Sequence, residues 1–185
     1  MTDSRGNEAV PRNMASGDDQ HQYLTFQVGR EMYAVGILHI REIIEYGNLT
    51  TVPLMPDFVR GVINLRGSVV PVIDLSARFG RGESVINRRS CIVILEIAGT
   101  GDDLEDMQEV GVIVDAVSEV LEIPAEDIEP APRFGTRIRA DFIAGMGKVQ
   151  GRFVILLNVQ QVLDLQEMAE LASVVDAAQE SGHDS

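Results

Sequence analysis

The sequence predicts a mainly β protein made of two similar small barrels, each built from about five short strands. The first observation is an internal repeat: residues 58–75 align without a gap to residues 142–159, and residues 33–45 align to residues 110–122. The second is composition. Trp is absent and aromatic residues make up only 5% of the chain, so the core must consist mainly of Val, Ile and Leu. Branched residues of this kind favour strands, and barrel closure removes exposed strand edges.

Glycines recur at matching places in the two copies. Gly61 aligns with Gly145, and Gly67 aligns with Gly151. A barrel strand must bend or turn sharply where a side chain is costly, so these four positions are predicted bends and turns. Two similar barrels packed together would leave a groove between them, and grooves are where partners usually bind.

The predicted organisation is two barrels between two disordered tails. Residues 1–21 and 175–185 are polar and lack apolar periodicity. The first barrel is predicted over 22–85 and the second over 86–158, followed by an amphipathic closing helix over 159–174.

Individual elements follow from the pattern of apolar residues. Leu24, Phe26 and Val28 alternate with polar residues, which predicts a strand with these three side chains buried. The apolar residues near 39–43 predict one helical turn, and Arg66-Gly67 predicts a hairpin turn. The other predicted strands and the short helix of the first barrel cover 32–37, 49–52, 61–65, 68–73 and 75–79. The second barrel has predicted strands over 91–97, 110–114, 116–123, 142–149 and 152–158.

Charge and cysteine content limit the kinds of partner and the cellular compartment that are expected. A net charge of −14 and a pI near 4.5 argue against binding to nucleic acid or to anionic lipid, because both require cationic side chains. The single cysteine, Cys91, cannot form an internal disulfide and fits a reducing compartment. The amino terminus lacks the apolar region of a signal peptide, and no apolar run approaches the roughly 18 residues of a membrane span. A cytoplasmic protein is predicted.

The sequence offers no arrangement of residues typical of catalysis. The histidines are His21, His39 and His183, and none has a second His or a Cys close by in the sequence. Cys91 likewise has no neighbouring His that could activate it. Gly145, Gly147 and Gly151 miss the spacing of a phosphate-binding loop and precede a strand rather than a helix. We therefore expect no catalytic residues, no metal and no cofactor.

Four short segments, taken in order, resemble the CheW family, the scaffold or coupling proteins of bacterial chemotaxis. They are REIIE (41–45), NLRG (64–67), VVPVIDL (69–75) and PAP (130–132). The resemblance extends from Tyr23 to Leu171. It implies two five-stranded SH3-like barrels packed together, and a non-enzymatic adaptor that couples a CheA-type histidine kinase to methyl-accepting chemotaxis receptors. It also implies recruitment to receptor arrays at the inner membrane.

The resemblance also implies the contact residues. The cytoplasmic tip of a receptor would dock on a groove lined by Ile40, Glu42, Ile43, Asn64, Leu65 and Arg66. The kinase would contact Pro130, Pro132, Arg133 and Phe134. Relatives often carry a basic residue just before PAP, whereas this chain has Glu129, a charge reversal that would alter pairing preference. The alternative reading is a small β-barrel module that binds a ligand or peptide outside chemotaxis.

Overall fold

The computed structural model describes residues 21–47, 49–98, 107–131, 138–164 and 167. These residues form eleven strands and two short α-helices, so the prediction of a mainly β fold is confirmed. The strands are β1 (Gln22–Val28), β2 (Glu31–Gly36), β3 (Ile40–Glu45), β4 (Val59–Leu65), β5 (Ser68–Asp74), β6 (Cys91–Ala98), β7 (Met107–Val114), β8 (Ala116–Glu122), β9 (Ile128–Glu129), β10 (Ile143–Val149) and β11 (Arg152–Leu157). The helices are α1 (Leu75–Arg78) and α2 (Val159–Val162).

The strands pair into two sheets that interleave the halves of the sequence. Sheet A has the order β8-β1-β2-β11-β10-β9, and sheet B has the order β3-β6-β7-β5-β4. The predicted boundary between 22–85 and 86–158 therefore does not separate the two sheets. Sheet A takes two strands from the first copy of the repeat and four from the second, and sheet B takes three from the first and two from the second. The hydrophobic pattern marks each strand as buried but does not choose between two nearly identical partners.

The two sheets repeat each other in register. The parallel seam of sheet B pairs Val72 with Gly111, and the parallel seam of sheet A pairs Leu156 with Ala34. These pairs are equivalent under the alignment of the two copies. The duplicated sequence therefore folds as an intertwined pair of units rather than as two barrels in succession.

Each sheet turns back on itself through a short link rather than a long ladder. In sheet B, Thr50, which follows edge strand β3, exchanges two backbone hydrogen bonds of 2.9 and 2.8 Å with Val62 in the opposite edge strand β4. In sheet A, β9 follows edge strand β8 and pairs with β10. The predicted strand over 49–52 is reduced to this single bridge at Thr50.

Gly61 and Gly145 allow these links to form. A Cβ atom at Gly61 would lie 2.4 Å from the carbonyl oxygen of Thr50, and one at Gly145 would lie 2.7 Å from Cγ2 of Ile128. Both glycines also follow a break in strand register. The predicted need for glycine at these bends is thus explained by close approach of the closing segment.

The main core lies between the two sheets. It includes Phe26, Tyr33, Leu95, Val112 and Phe142, each at most 1% exposed. Leu24, Phe26 and Val28 are buried as predicted. Two smaller clusters fill the far faces: one lies on sheet B around Ile92 and Ile94, and the other lies on sheet A.

Asp74 anchors the start of α1 and the loop that follows it. Its buried carboxylate accepts hydrogen bonds from Ser76 N, Ala77 N, Ser84 N, Ser84 Oγ and Arg60 Nη2. Burial alone would raise the pKa of Asp74, but the hydrogen bonds from Ser84, Arg60 and Ala77 outweigh it and hold the pKa below its ordinary value. The equivalent residue Asn158 caps α2 in the same way without a charge.

Arg78 fastens the two short helices to each other. Its Nε donates a 2.7 Å hydrogen bond to the carbonyl of Val162, at the end of α2, and its guanidinium stacks on Phe58 and Phe142. Nη2 also contacts Glu167, at 3.2 Å. A buried cation is tolerated here because carbonyls, a carboxylate and ring faces surround it.

Two predicted segments differ or fall outside the described residues. A 3₁₀ turn occupies Ile37–His39, and residues 40–45 form strand β3 rather than the predicted helical turn over 39–43. Within the closing helix predicted over 159–174, the described residues are helical at Val159–Val162 and at Glu167. The tails predicted over 1–21 and 175–185 lie outside the described residues, apart from residue 21.

Candidate functional site

The edge strand β3 presents the two predicted receptor-contact isoleucines on one face. A register break between Ile40 and Glu42 leaves Arg41 as the extra residue, so that Ile40 lies opposite Leu95 and Ile43 lies opposite Val93. Ile40 is half-buried against the main core, while Ile43 is 43% exposed. Of the two, Ile43 offers the larger apolar surface to a partner.

The NLRG segment forms the β4–β5 turn. Arg66 and Gly67 both have positive φ, +51° and +87°, which is the conformation of a two-residue hairpin turn that matches strand twist. Asn64 Oδ1 accepts a 3.1 Å hydrogen bond from Gly67 N, and Leu65 packs against the cluster on sheet B. Asn64 and Leu65 therefore shape the turn, which leaves Arg66 pointing away from the core with a side chain 61% exposed.

Arg66 reaches the opposite edge of the sheet. Its Nη2 lies 2.6 Å from Glu42 Oε2, so two of the predicted receptor-contact residues form one ion pair. The adjacent Arg66 guanidinium lowers the pKa of Glu42. The pair joins two of the predicted contact segments at one surface, whereas Ile43, the next residue along β3, points to the opposite face of the strand.

A further set of charges extends this surface. Arg41 lies 3.6 Å from Glu96 and 3.2 Å from Glu109, whose strands β6 and β7 pair at these residues. Sequence reasoning missed these contacts, because spacing alone does not show which strands are neighbours. Comparison of the two copies would have indicated them: Ser118, Gln27 and Met32 stand at the equivalent positions of sheet A.

The segment predicted to contact a kinase is only partly described. Pro130 is exposed and directly follows β9. Glu129, at the end of that strand, is exposed and pairs with Met146 of β10. Pro132, Arg133 and Phe134 lie outside the described residues, so their predicted role stays a prediction.

Two surface cavities lie on the described part of the chain. One, of about 390 Å³, is lined by Ser68, Val69, Val70, Pro71, Glu96, Met107, Gln108 and Glu109. The other, of about 300 Å³, is lined by Tyr23, Gly36, Leu38, His39, Ala144, Leu156 and Leu157. Among the same described residues, no group of three or more His, Cys, Asp or Glu side chains is arranged to hold a metal ion. No helix in them has the length and apolarity needed to cross a bilayer.

Comparison with known proteins gives a consistent result. The family profile of the CheW-like domain matches residues 22–167. Chemotaxis protein CheW of Klebsiella aerogenes is 34% identical over 153 residues, which cover 83% of this chain and 87% of the relative. Chemotaxis protein CheW of Treponema pallidum is 30% identical over 165 residues, covering 87% and 92%. The crystal structure of scaffolding protein TtCheW from Thermoanaerobacter tengcongensis superposes with a TM-score of 0.69 at 33% identity, covering 83% of this chain and 90% of the other.

Proposed function

Because the chain belongs to the CheW-like family of chemotaxis scaffold proteins, we propose that it couples a CheA-type histidine kinase to the cytoplasmic tip of methyl-accepting receptors. In this role it acts as a non-enzymatic adaptor in the cytoplasm, recruited to receptor arrays at the inner membrane. The observation that carries the proposal is the region of sheet B where the Arg66–Glu42 ion pair joins the NLRG turn to β3, which also exposes Ile43 on its other face. It combines an exposed apolar side chain with an exposed guanidinium.

This surface suits the end of a receptor helix. Ile43 provides apolar area for the hydrophobic stripe of an amphipathic helix, the usual mode of helix-in-groove binding. Arg66 supplies up to five N–H donors for a carboxylate or a carbonyl, and arginine is enriched among the residues that dominate binding energy. Asn64 and Leu65 support the turn that carries Arg66, and Ile40 is half-buried against the main core.

The kinase would bind elsewhere on the chain. Pro130 lies on sheet A, next to β9, whereas the proposed receptor surface lies on sheet B. Two separate surfaces are what an adaptor requires, because both partners must be bound at once. The contacts proposed for the kinase are Pro130, Pro132, Arg133 and Phe134.

Reconstitution tests the coupling role. Purified chain, a CheA-type kinase and receptor-bearing membranes are mixed, and kinase autophosphorylation and co-sedimentation are measured with and without the chain. We expect the chain to bring the kinase into the membrane pellet and to change its activity. A chain that neither co-sediments with the kinase nor changes its activity would rule the adaptor role out.

A further inference from the structure

Pro71 interrupts the seam between β5 and β7. Val62 directs both of its backbone hydrogen-bonding groups to Thr50, away from β5. Pro71 lies opposite Val62, so this is a non-hydrogen-bonded pair and the backbone of Pro71 faces β7. A proline at this point presents no N–H to the neighbouring strand.

The missing donor has a definite acceptor. The parallel register pairs Val72 with Gly111 and Ile73 with Val112, so that the backbones of Gly111 and Glu109 face β5. In this pattern, the next hydrogen bond would run from the N–H of residue 71 to the carbonyl of Glu109. Because residue 71 is proline, that carbonyl lacks the donor the seam would otherwise supply.

Sheet A shows the same seam without the interruption. Ile155 stands at the position equivalent to Pro71 and has an N–H group. In sheet A the parallel pairing begins at Ile155 and Tyr33. In sheet B it begins one residue later, at Val72 and Gly111, so the residue pair that would contain Pro71 is missing. The shortened seam is therefore a feature of sheet B and not of the repeated fold.

A cavity opens where the seam ends. The cavity of about 390 Å³ is bounded by residues 68–71 of β5, residues 107–109 of β7 and Glu96, which together we name the β5–β7 slot. Val69 is 68% exposed and Met107 is 54% exposed, so the slot has apolar rims. Its two carboxylates, on Glu96 and Glu109, pair with Arg41, and the charge of Arg66 acts on both Glu42 and Glu109. Three carboxylates therefore face two guanidiniums at this end of sheet B.

We propose that the β5–β7 slot binds an extended peptide segment of a partner protein that carries a lysine or arginine. A peptide N–H donates to the carbonyl of Glu109, which supplies the hydrogen bond that Pro71 cannot make. The basic side chain pairs with Glu96 or Glu109, and an apolar neighbour packs against Val69 and Met107. Binding by strand addition at an incomplete sheet seam uses main-chain hydrogen bonds for affinity and alternate side chains for specificity. The slot is lined by residues other than the proposed receptor contacts, but it adjoins them, because Arg66 interacts electrostatically with Glu109.

The test uses the substitution Pro71→Ile, which places in sheet B the residue that sheet A has. A fluorescein-labelled peptide of alternating valine and lysine is titrated against the full chain, and binding is followed by fluorescence anisotropy. We expect saturable binding to the wild-type chain. We expect binding at least about tenfold weaker to Pro71→Ile, since the restored seam occupies the Glu109 carbonyl. The variant should melt at the same temperature as the wild-type chain or higher.

Two further peptides separate strand addition from general attraction to an acidic protein. A valine–glutamate peptide should not bind, and a valine–lysine peptide N-methylated at alternate residues should bind at least about tenfold more weakly than its parent. The N-methylated peptide keeps the test decisive even if Pro71→Ile does not fold. Any one of three results would overturn the proposal. The parent peptide could fail to bind, or it could bind no more tightly than its N-methylated form. The third result is equal binding of the parent peptide by the wild-type chain and by a folded Pro71→Ile variant.

Discussion

Arg66 Nη2 lies 2.6 Å from Glu42 Oε2, an ion pair that joins the turn after β4 to strand β3 at the other edge of the same sheet. The Glu42 Oε2 atom itself is buried, although the Arg66 side chain is largely exposed. The pair holds the guanidinium against β3, and Arg66 is therefore positioned before any partner arrives.

This ion pair predicts a depressed pKa for Glu42. The Arg66 guanidinium favours the ionised carboxylate, so the pKa of the Glu42 carboxyl should lie below the ordinary value of a glutamate. Replacing Arg66 with Asn should move the pKa of Glu42 upward. Carboxyl-detected NMR titration of the wild-type chain and the variant checks this, and an unchanged Glu42 titration would show that the pair does not form in solution.

Closure of sheet B predicts a severe effect of Gly61→Ala. The added methyl group would lie 2.4 Å from the carbonyl oxygen of Thr50, which is backbone and cannot rotate away, so the two Thr50–Val62 hydrogen bonds should be lost. We expect the free energy of unfolding to fall by about 2–4 kcal/mol. The matched control is Gly36→Ala, whose Cβ would have its nearest neighbour at 3.7 Å, and for which we expect a change below about 1 kcal/mol. Chemical denaturation of both variants would contradict the closure if they lost equal stability.

The buried Asp74 carboxylate predicts how stability depends on pH. The folded-state pKa of Asp74 is depressed, so its contribution is fully present above the unfolded-state value, about 3.9, and is lost as the pH falls through the lower folded-state pKa. Asp74→Asn should cost about 3 kcal/mol at neutral pH, since it removes charge-assisted bonds and leaves Arg60 without its carboxylate. It should also flatten the acid limb of the stability curve.

Asn158→Ala is the control for Asp74→Asn, because it removes only an ordinary helix cap and should cost about 1 kcal/mol. Denaturation at several pH values compares the two variants. If the stability of Asp74→Asn falls as steeply at acid pH as that of the wild-type chain, the pH dependence comes from other carboxylates.

The exposed face of β3 predicts a local loss of receptor binding. Ile43→Asp places a charge in the proposed apolar contact, and co-sedimentation with receptor-bearing membranes should fall at least about tenfold. Val120 is the equivalent residue on β8 and is similarly exposed, at 53% against 43%. Val120→Asp is therefore the control and should bind receptors as the wild-type chain does. Equal losses in the two variants would argue against a surface specific to sheet B.

The repeat in the sequence predicted the local structure well and the strand partners poorly. The hairpin at Arg66-Gly67 and the bend at Gly61 follow from local requirements on φ and close approach, which the residue types reveal. The exchange of strands between copies does not follow from local requirements, because β5 would bury the same residues against β2 as against β7. Apolar patterning fixes which face of a strand is buried but not which of two similar neighbours covers it.

Parts of the candidate site were beyond sequence reasoning for the same reason. The ion pairs of Arg41 with Glu96 and Glu109 depend on β3, β6 and β7 lying side by side. Residues 40–45 were expected to begin in a helical turn, because a short apolar run fits the periodicity of a helix as well as that of a strand. They form a strand because β6 is available to pair with them. The useful signal was the difference between the copies, at Arg66 against Gln150 and at Pro71 against Ile155.

Arg66 and Gln150 also make the central claim testable without disturbing the fold. Both residues have positive φ, +51° and +53°, and each precedes a glycine. Such a conformation is strained for these side chains and favours asparagine, so Arg66→Asn and Gln150→Asn should each leave the turn and the fold intact. The two variants differ in which copy of the turn they alter, and Arg66→Asn also removes the ion pair with Glu42.

The most direct measurement is receptor-dependent control of kinase autophosphorylation in the reconstituted mixture with wild-type chain, Arg66→Asn or Gln150→Asn. If the chain is an adaptor that holds receptors through Arg66, coupling should be lost with Arg66→Asn and retained with Gln150→Asn, while both variants remain cooperatively folded. Full coupling by Arg66→Asn would contradict the account, as would equal loss of coupling by the two variants.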